Sequence, residues 1–303
     1  MRLRPAVLAF FMVAFCAALF GLLDWQRRGR DFSDAELLRR LPDIEGSCLY
    51  LDVRALRKAG LLDMIAGHRA DEEPEYKEWV NASGFDYRED LDTVMAHFGV
   101  DIDLYILRGR LSWSQISAYM KANDAKCSNG VCSIALSRGR FLSALPLSES
   151  VVALGTGTFR NVVYSVMELR ERKYLDLPKE PFWVEFSEEY LKDPRQLPEG
   201  TRSFLSAVSG ARHVFLAIAP EGNGLEARLR ATFDSSAEAV TRRAKLEEST
   251  LLLRKFFQRD KQQPEESDIA SLLLAGKFDQ TNGDVLGRWP LPLTLFEKIL
   301  RGR

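Results

Sequence analysis

The sequence predicts an α+β protein in which one N-terminal transmembrane helix carries antiparallel hairpins backed by helices. These are arranged in two related halves that use the same kinds of element. Three observations predict this. Residues 5–23, PAVLAFFMVAFCAALFGLL, are nineteen positions without a charge, framed by Arg2 and Arg4 before and by Arg27, Arg28 and Arg30 after. Asn129-Gly130, Asn223-Gly224 and Asn282-Gly283 each sit between strand-like runs, the signal of two-residue hairpin turns. Capping boxes at Ser33, Ser112 and Ser235, each with Glu or Gln three residues later, open apolar-periodic stretches. The expected organisation is an anchor with its flanks (1–32), a first half (33–175) and a second half (176–303). The halves meet at LDLPKEP, residues 175–181, which reads as a linker.

The apolar run would span roughly 28 Å as a helix, close to the hydrocarbon thickness of a bilayer. A cleavable signal has a shorter apolar centre and a small-x-small site. Here the best small pair, Ala14 and Cys16, falls inside the run, and Trp25 just beyond suits the aromatic belt of a membrane interface. An uncleaved anchor is therefore expected. The arginines that follow favour a cytoplasmic body, but long domains translocate largely regardless of charge. The cysteines point the other way, so the expectation is an inner-membrane protein with its body outside the cytoplasm.

Those cysteines are Cys127 and Cys132 in C-S-N-G-V-C. If Asn129-Gly130 makes a primed turn, Ser128 and Val131 close it and the two cysteines face each other in the next pair. Their Cα atoms are then about 4.5 Å apart, within reach of a disulfide. Such a bond persists in oxidising compartments. Cys48 reads as a buried thiol.

Along the body, the Ser33 box opens a short helix that Pro42 stops. Residues 48–53 are strand-like and 54–66 helical, and 75–80 resume a helix that Gly84 ends. Asp90 reads as the cap of a helix, LDTVMAHF. Residues 100–107 alternate, with Val100, Ile102, Leu104 and Ile106 on one face. A helix from Ser112 to Met120, the Asn129-Gly130 hairpin, strands over 141–147 and 151–154, and a helix over 159–170 complete the first half.

The second half begins with a strand, FWVEF at 182–186, and a helix at 201–208. HVFLAIA and LEARLRATF then flank Asn223-Gly224. On the second of these strands Leu225, Ala227, Leu229, Ala231 and Phe233 share one face, leaving Glu226, Arg228, Arg230 and Thr232 on a face expected to meet water. The longest helix runs from Ser235 to about 258, and Pro264 breaks it. A further helix, the Asn282-Gly283 turn and a terminal helix at 293–300 finish the chain.

DVRALRKAGLLD, EYKEWVNASGFDYREDLD and LRGRLSWSQI before a hairpin resemble a group of bacterial, singly anchored envelope proteins of unknown function. The likeness runs over residues 42–253 and rests mainly on GFDYREDLD. It implies an α+β ectodomain outside the cytoplasm and carries no activity or catalytic residue.

Hydrophobic residues make up 46% of the chain, enough for a substantial core. A net charge of −1 gives no electrostatic case for nucleic acid. Gly155-Thr-Gly157-Thr158 lacks the third glycine of a dinucleotide loop and the Gly-Lys of a P-loop, and reads as a tight turn. His68, His97 and His213 form no ligand motif, no G-x-S-x-G elbow exists, and no cofactor is called for. Asp86, Glu89, Asp90 and Asp92 read as helix-capping acids, and Asp101 and Asp103 as a solvated strand face.

Two functions follow. The first is a membrane-anchored envelope module that binds an unknown envelope protein or ligand without catalysis, with Glu226, Arg228 and Arg230 as its docking face and the bilayer as its partner through residues 5–23. The alternative is an enzyme with a carboxylate or metal site between Asp86 and Asp103, which requires those acids to converge in a pocket.

Overall fold

The structure, a computed structural model, describes residues 32–42, 46–63, 74–170, 178–188, 191, 207–222, 224–259 and 269–295. Its strands are β1 (Gly46–Asp52), β2 (Leu91–Gly99), β3 (Ile102–Gly109), β4 (Lys126–Ser128), β5 (Val131–Ala135), β6 (Phe141–Pro146), β7 (Val151–Gly157), β8 (Phe182–Ser187), β9 (His213–Glu221), β10 (Gly224–Thr232), β11 (Lys277–Thr281) and β12 (Asp284–Leu291). They form one 12-stranded sheet in the order β11-β12-β10-β9-β8-β1-β2-β3-β7-β6-β5-β4. Every neighbouring pair is antiparallel.

This corrects the expected fold class. The strands of 33–175 and of 176–303 stay side by side, but β1 and β8 pair, Tyr50 opposite Trp183, and fuse all of them into one sheet where separate hairpins were expected. Among the described residues no helix is long and apolar enough to cross a membrane, and the run 5–23 lies outside them. The terminal helix expected at 293–300 also falls mostly outside, and Asn223, Pro264, residues 201–206 and linker residues 175–177 lie outside as well.

The helices are α1 (Asp34–Leu38), α2 (Val53–Lys58), α3 (Pro74–Ser83), α4 (Tyr87–Asp90), α5 (Trp113–Ala122), α6 (Ser236–Arg259) and α7 (Ile269–Leu274), with a 3₁₀ segment at Val162–Met167. The capping box of α1 forms in full, Ser33 with Glu36. At α6 the Glu238 N–H donates to Ser235 Oγ at 3.2 Å. The box expected at Ser112 does not close, and Ser112 Oγ lies 3.0 Å from Ser114 Oγ instead.

Three local expectations are overturned. LDTVMAHF is not a helix but lies within β2. As a central strand covered on both faces it buries Met95 and His97 on one side and Leu91 and Ala96 on the other, so its period of two is masked. The Gly155–Thr158 turn is extended backbone at the end of β7. A Cβ at Gly155 would lie 2.9 Å from Val162 Cγ1, so glycine here lets the 3₁₀ segment close onto the strand. That segment stands where a longer α-helix was expected.

Antiparallel partners share a face, so the register assigns each side chain a side. On one face of β1–β3 and β5–β7, α1 and the 3₁₀ segment pack Leu37, Leu38, Leu41, Val163 and Val166 onto Met95, Leu104, Ile106, Val151 and Ala153. Helices cover the other face over most of its strands. There α2, α3 and α5 meet the first-half strands. Ala239 and Leu246 of α6, with the half-buried Leu272 and Leu273 of α7, meet Val214, Ala227, Ala231 and Val285. Glu226, Arg228, Arg230, Leu286 and Arg288, by contrast, lie on the α1 side of the sheet, over β10 and β12.

Candidate functional site

The candidate site is the part of the α1-side face formed by β8, β9, β10 and β12. An aromatic row crosses its floor. Tyr50 on β1 stacks on Trp183 of β8 at 5.4 Å between ring centroids. Trp183 meets Phe215 of β9 edge-on at 5.7 Å. Beyond it the Arg230 guanidinium sits 5.0 Å over the Phe215 ring, a cation–π contact. The row follows from register: Tyr50 opposes Trp183, Glu185 opposes Phe215, and Phe215 opposes Arg230.

The segment before β8 divides the face into two clefts. On the α1 side, a cleft of ≈ 430 Å³ is lined by Asp34, Tyr50, Asp52, Lys179, Glu180 and Trp183, among others. Tyr50 Oη donates to Asp34 Oδ2 at 2.7 Å, and Asp34 also accepts from Arg108. Burial first, then the bond to Asp34, raises the Tyr50 phenol well above its ordinary value. On the other side, a groove of ≈ 520 Å³ has Phe215, Ala217 and Leu286 in its floor and Arg228, Arg230 and Arg288 among its walls.

Arg228 is the centre of that groove. Its guanidinium reaches Glu226 at 2.7 Å, Glu180 at 3.0 Å and Glu221 at 3.1 Å. The bond to Glu226 is the largest influence holding its pKa above the ordinary value. Arg288 pairs with Asp279 at 2.7 Å on the neighbouring strand. At the far end His213 Nδ1 lies 2.7 Å from Glu185 Oε1. The site is thus an array of paired charges on an aromatic floor. Such an array recognises a partner by matched polar geometry more than by net charge.

Glu226, Arg228 and Arg230 do share one face, as expected, but they line a groove and are half-buried instead of standing on an open plane. Glu180, Glu221, Phe215 and Arg288 complete the site and were not singled out from sequence. Glu180 lies 48 positions before Arg228 in a segment that reads as linker, so nothing local announces it.

Cys127 and Cys132 form a disulfide between β4 and β5, with Cα atoms 4.0 Å apart and directly opposed. Asn129 and Gly130 both have positive φ, 52° and 82°, the primed turn that the pairing needs. Cys48 is buried and takes no part in that disulfide.

The carboxylates between Asp86 and Asp103 do not converge. Asp86 caps α4 and accepts from Tyr76. Asp90 pairs with Arg110 at 2.8 Å, and Asp92 with Arg54. These lie at the start of β2, whereas Asp103 on β3 opposes Phe98 near its other end, about 20 Å from Asp92 given the rise per strand residue, and Asp101 lies in the turn beyond. Asp103 is held by Arg140 at 2.9 Å and by Thr156. Among the described residues no group of three or more His, Cys, Asp or Glu could hold a metal. His97 is buried in the sheet, and His68 lies outside the described residues.

No protein-family model and no curated protein matches the chain. Solved structures do. Crystal form I of TP0453 is similar over 88% of this chain and 97% of that one, at 10% identity and a TM-score of 0.48. Crystal form IV of TP0453 is similar over 87% and 95%, again at 10% identity and 0.48. This is a distant likeness in the course of the chain, and no role passes across it.

Proposed function

We propose that the chain is a non-catalytic binding module of a bacterial envelope, held at the inner membrane through residues 5–23 with its body outside the cytoplasm. Its partner, an envelope protein or ligand, docks in the groove around Glu226, Arg228 and Arg230. The observation that carries this reading is the contrast along one sheet face. Where α1 and the 3₁₀ segment cover it the face is apolar and sealed; over β9, β10 and β12 it is an aromatic-floored groove walled by paired charges. The Cys127–Cys132 bond supports an oxidising compartment, and the uncharged run supports bilayer attachment.

The test is site-specific photocrosslinking in cells. A photoreactive residue at Arg288, on the groove wall, should give a discrete adduct, and one at exposed Glu248 on α6 should not. The same adduct from both positions, or none from Arg288, refutes the groove as the docking site. Non-reducing mass spectrometry of protein alkylated in the cell tests the compartment: two free thiols at Cys127 and Cys132 would place the body in the cytoplasm.

A further inference from the structure

We infer that one end of the sheet is a lipid-contacting surface that seats Val100, Leu136 and Phe159 in the headgroup region of an anionic bilayer. Three segments meet there. The β2–β3 turn carries Val100, the β5–β6 turn carries Leu136, and Phe159 follows β7. They are neighbours because Ile102 opposes Gly157 on one side and Phe141 opposes Gly157 on the other, while the Leu136 N–H donates to Arg140 O at 2.7 Å. Val100 is 89% exposed, Phe159 66% and Leu136 43%, with Phe98 beside them at 39%. Single exposed apolar residues are ordinary, but here they crown adjacent turns.

The chemistry selects lipid as the occupant. The side chains project from turns at a sheet end instead of lining a concavity, which is a shape for entering a soft interface. Arg138 and Arg160 are exposed on the same turns, with the half-buried Arg140 between them. Among the described residues of these three turns the acids are Asp101 and, at the start of β3, Asp103, which Arg140 already holds. Arginines around apolar tips complement anionic headgroups.

Chain length agrees. Phe32 is fastened at the opposite end of β3, where its carbonyl accepts from Arg108. The strand spans about 26 Å for its eight residues. Eight positions, 24–31, separate the apolar run from Phe32. They can reach at most about 28 Å, enough for the tips to meet the bilayer that the run enters. That last step rests on the bilayer attachment proposed above; the tip contact itself does not.

The test labels the full-length protein, with Cys16→Ala, at Val100→Cys, Phe159→Cys or Glu149→Cys using an environment-sensitive fluorophore. Glu149 is exposed at the opposite end of the sheet, and the native thiols of the body are buried or bonded. With vesicles of phosphatidylcholine and phosphatidylglycerol, labels at 100 and 159 should shift to the blue and be quenched by nitroxide lipids, and the label at 149 should not. The shift should weaken on pure phosphatidylcholine and with Arg138→Glu. Chain that floats with vesicles while labels 100 and 159 behave like 149 overturns the tip contact and leaves the attachment standing. Chain that does not float overturns both, and a blue shift without vesicles that grows with protein concentration assigns the tips to a second copy of the chain.

Discussion

Leu37→Ala asks whether α1 seals its half of the sheet. The helix is five residues long, too short to hold itself together, so its order must come from the surface beneath it. Leu37 is 0% exposed, Leu38 2% and Leu41 0%, and all three belong to the cluster of Met95, Leu104, Ile106 and Trp183. Truncating a fully buried leucine costs about 2–5 kcal/mol, from lost transfer energy plus the cavity left behind. Alanine's better helix propensity returns only a few tenths. The expected loss is about 3 kcal/mol, read from urea unfolding of the full chain by circular dichroism. The Tyr50–Trp183 stack lies beside the same cluster, so native tryptophan emission should move to the red. A loss below about 1 kcal/mol with unchanged emission would refute the packing argument, and with it the contrast between a sealed and an open half-face.

Replacing Cys127 and Cys132 with serine should lower stability by about 2 kcal/mol on the loop-entropy model, because the bond closes a short loop; differential scanning calorimetry reads the loss. Arg228→Ala leaves Glu180 and Glu226, each with side chains 19% exposed, without their common partner, and should cost about 1–3 kcal/mol in urea unfolding. Arg288→Ala removes a pair more than half exposed on both sides and should stay within about 0.5 kcal/mol, so equal losses would contradict the groove geometry. Arg54 holds Asp92 below the ordinary carboxylate pKa. The folded value is depressed, so that stability is present above the unfolded pKa and lost as pH falls through the folded one. Arg54→Ala should therefore flatten the acid limb of a stability–pH curve below about pH 4. For Tyr50, raised above 10 by burial and Asp34, stability is full below the unfolded value and falls as pH rises past it. Tyr50→Phe should remove that alkaline loss.

What was legible from sequence was local. The hairpins at Asn129-Gly130 and Asn282-Gly283, the disulfide register and the Ser33 cap depend on residues a few positions apart, and the chemistry of each turn shows through. β10 was legible because one face is apolar and the other charged. β2 was not, because a strand covered on both faces loses that contrast and also satisfies a helical spacing. The joining of β1 to β8 rests on backbone pairing over more than 130 positions, for which no side-chain pattern stands proxy. The site divides likewise. Arg228 and Arg230 stood out by alternation, whereas Glu180, one of the three carboxylates on Arg228, came from a segment with no period at all.

An open sheet of this width has two margins where backbone N–H and C=O groups could template another chain. At one margin β11 is five residues long and carries Lys277 and Asp279. At the other, β4 is three residues long and wholly exposed, and its covalent tie to β5 keeps it in place. Were that tie reduced, so short a ribbon would fray and uncover the margin of β5, where Val131, Cys132 and Ser133 are buried. The bond then acts as a guard against lateral accretion. Where thiols oxidise, β4 stays tied over that margin; where they do not, the backbone of β5 is open to another strand.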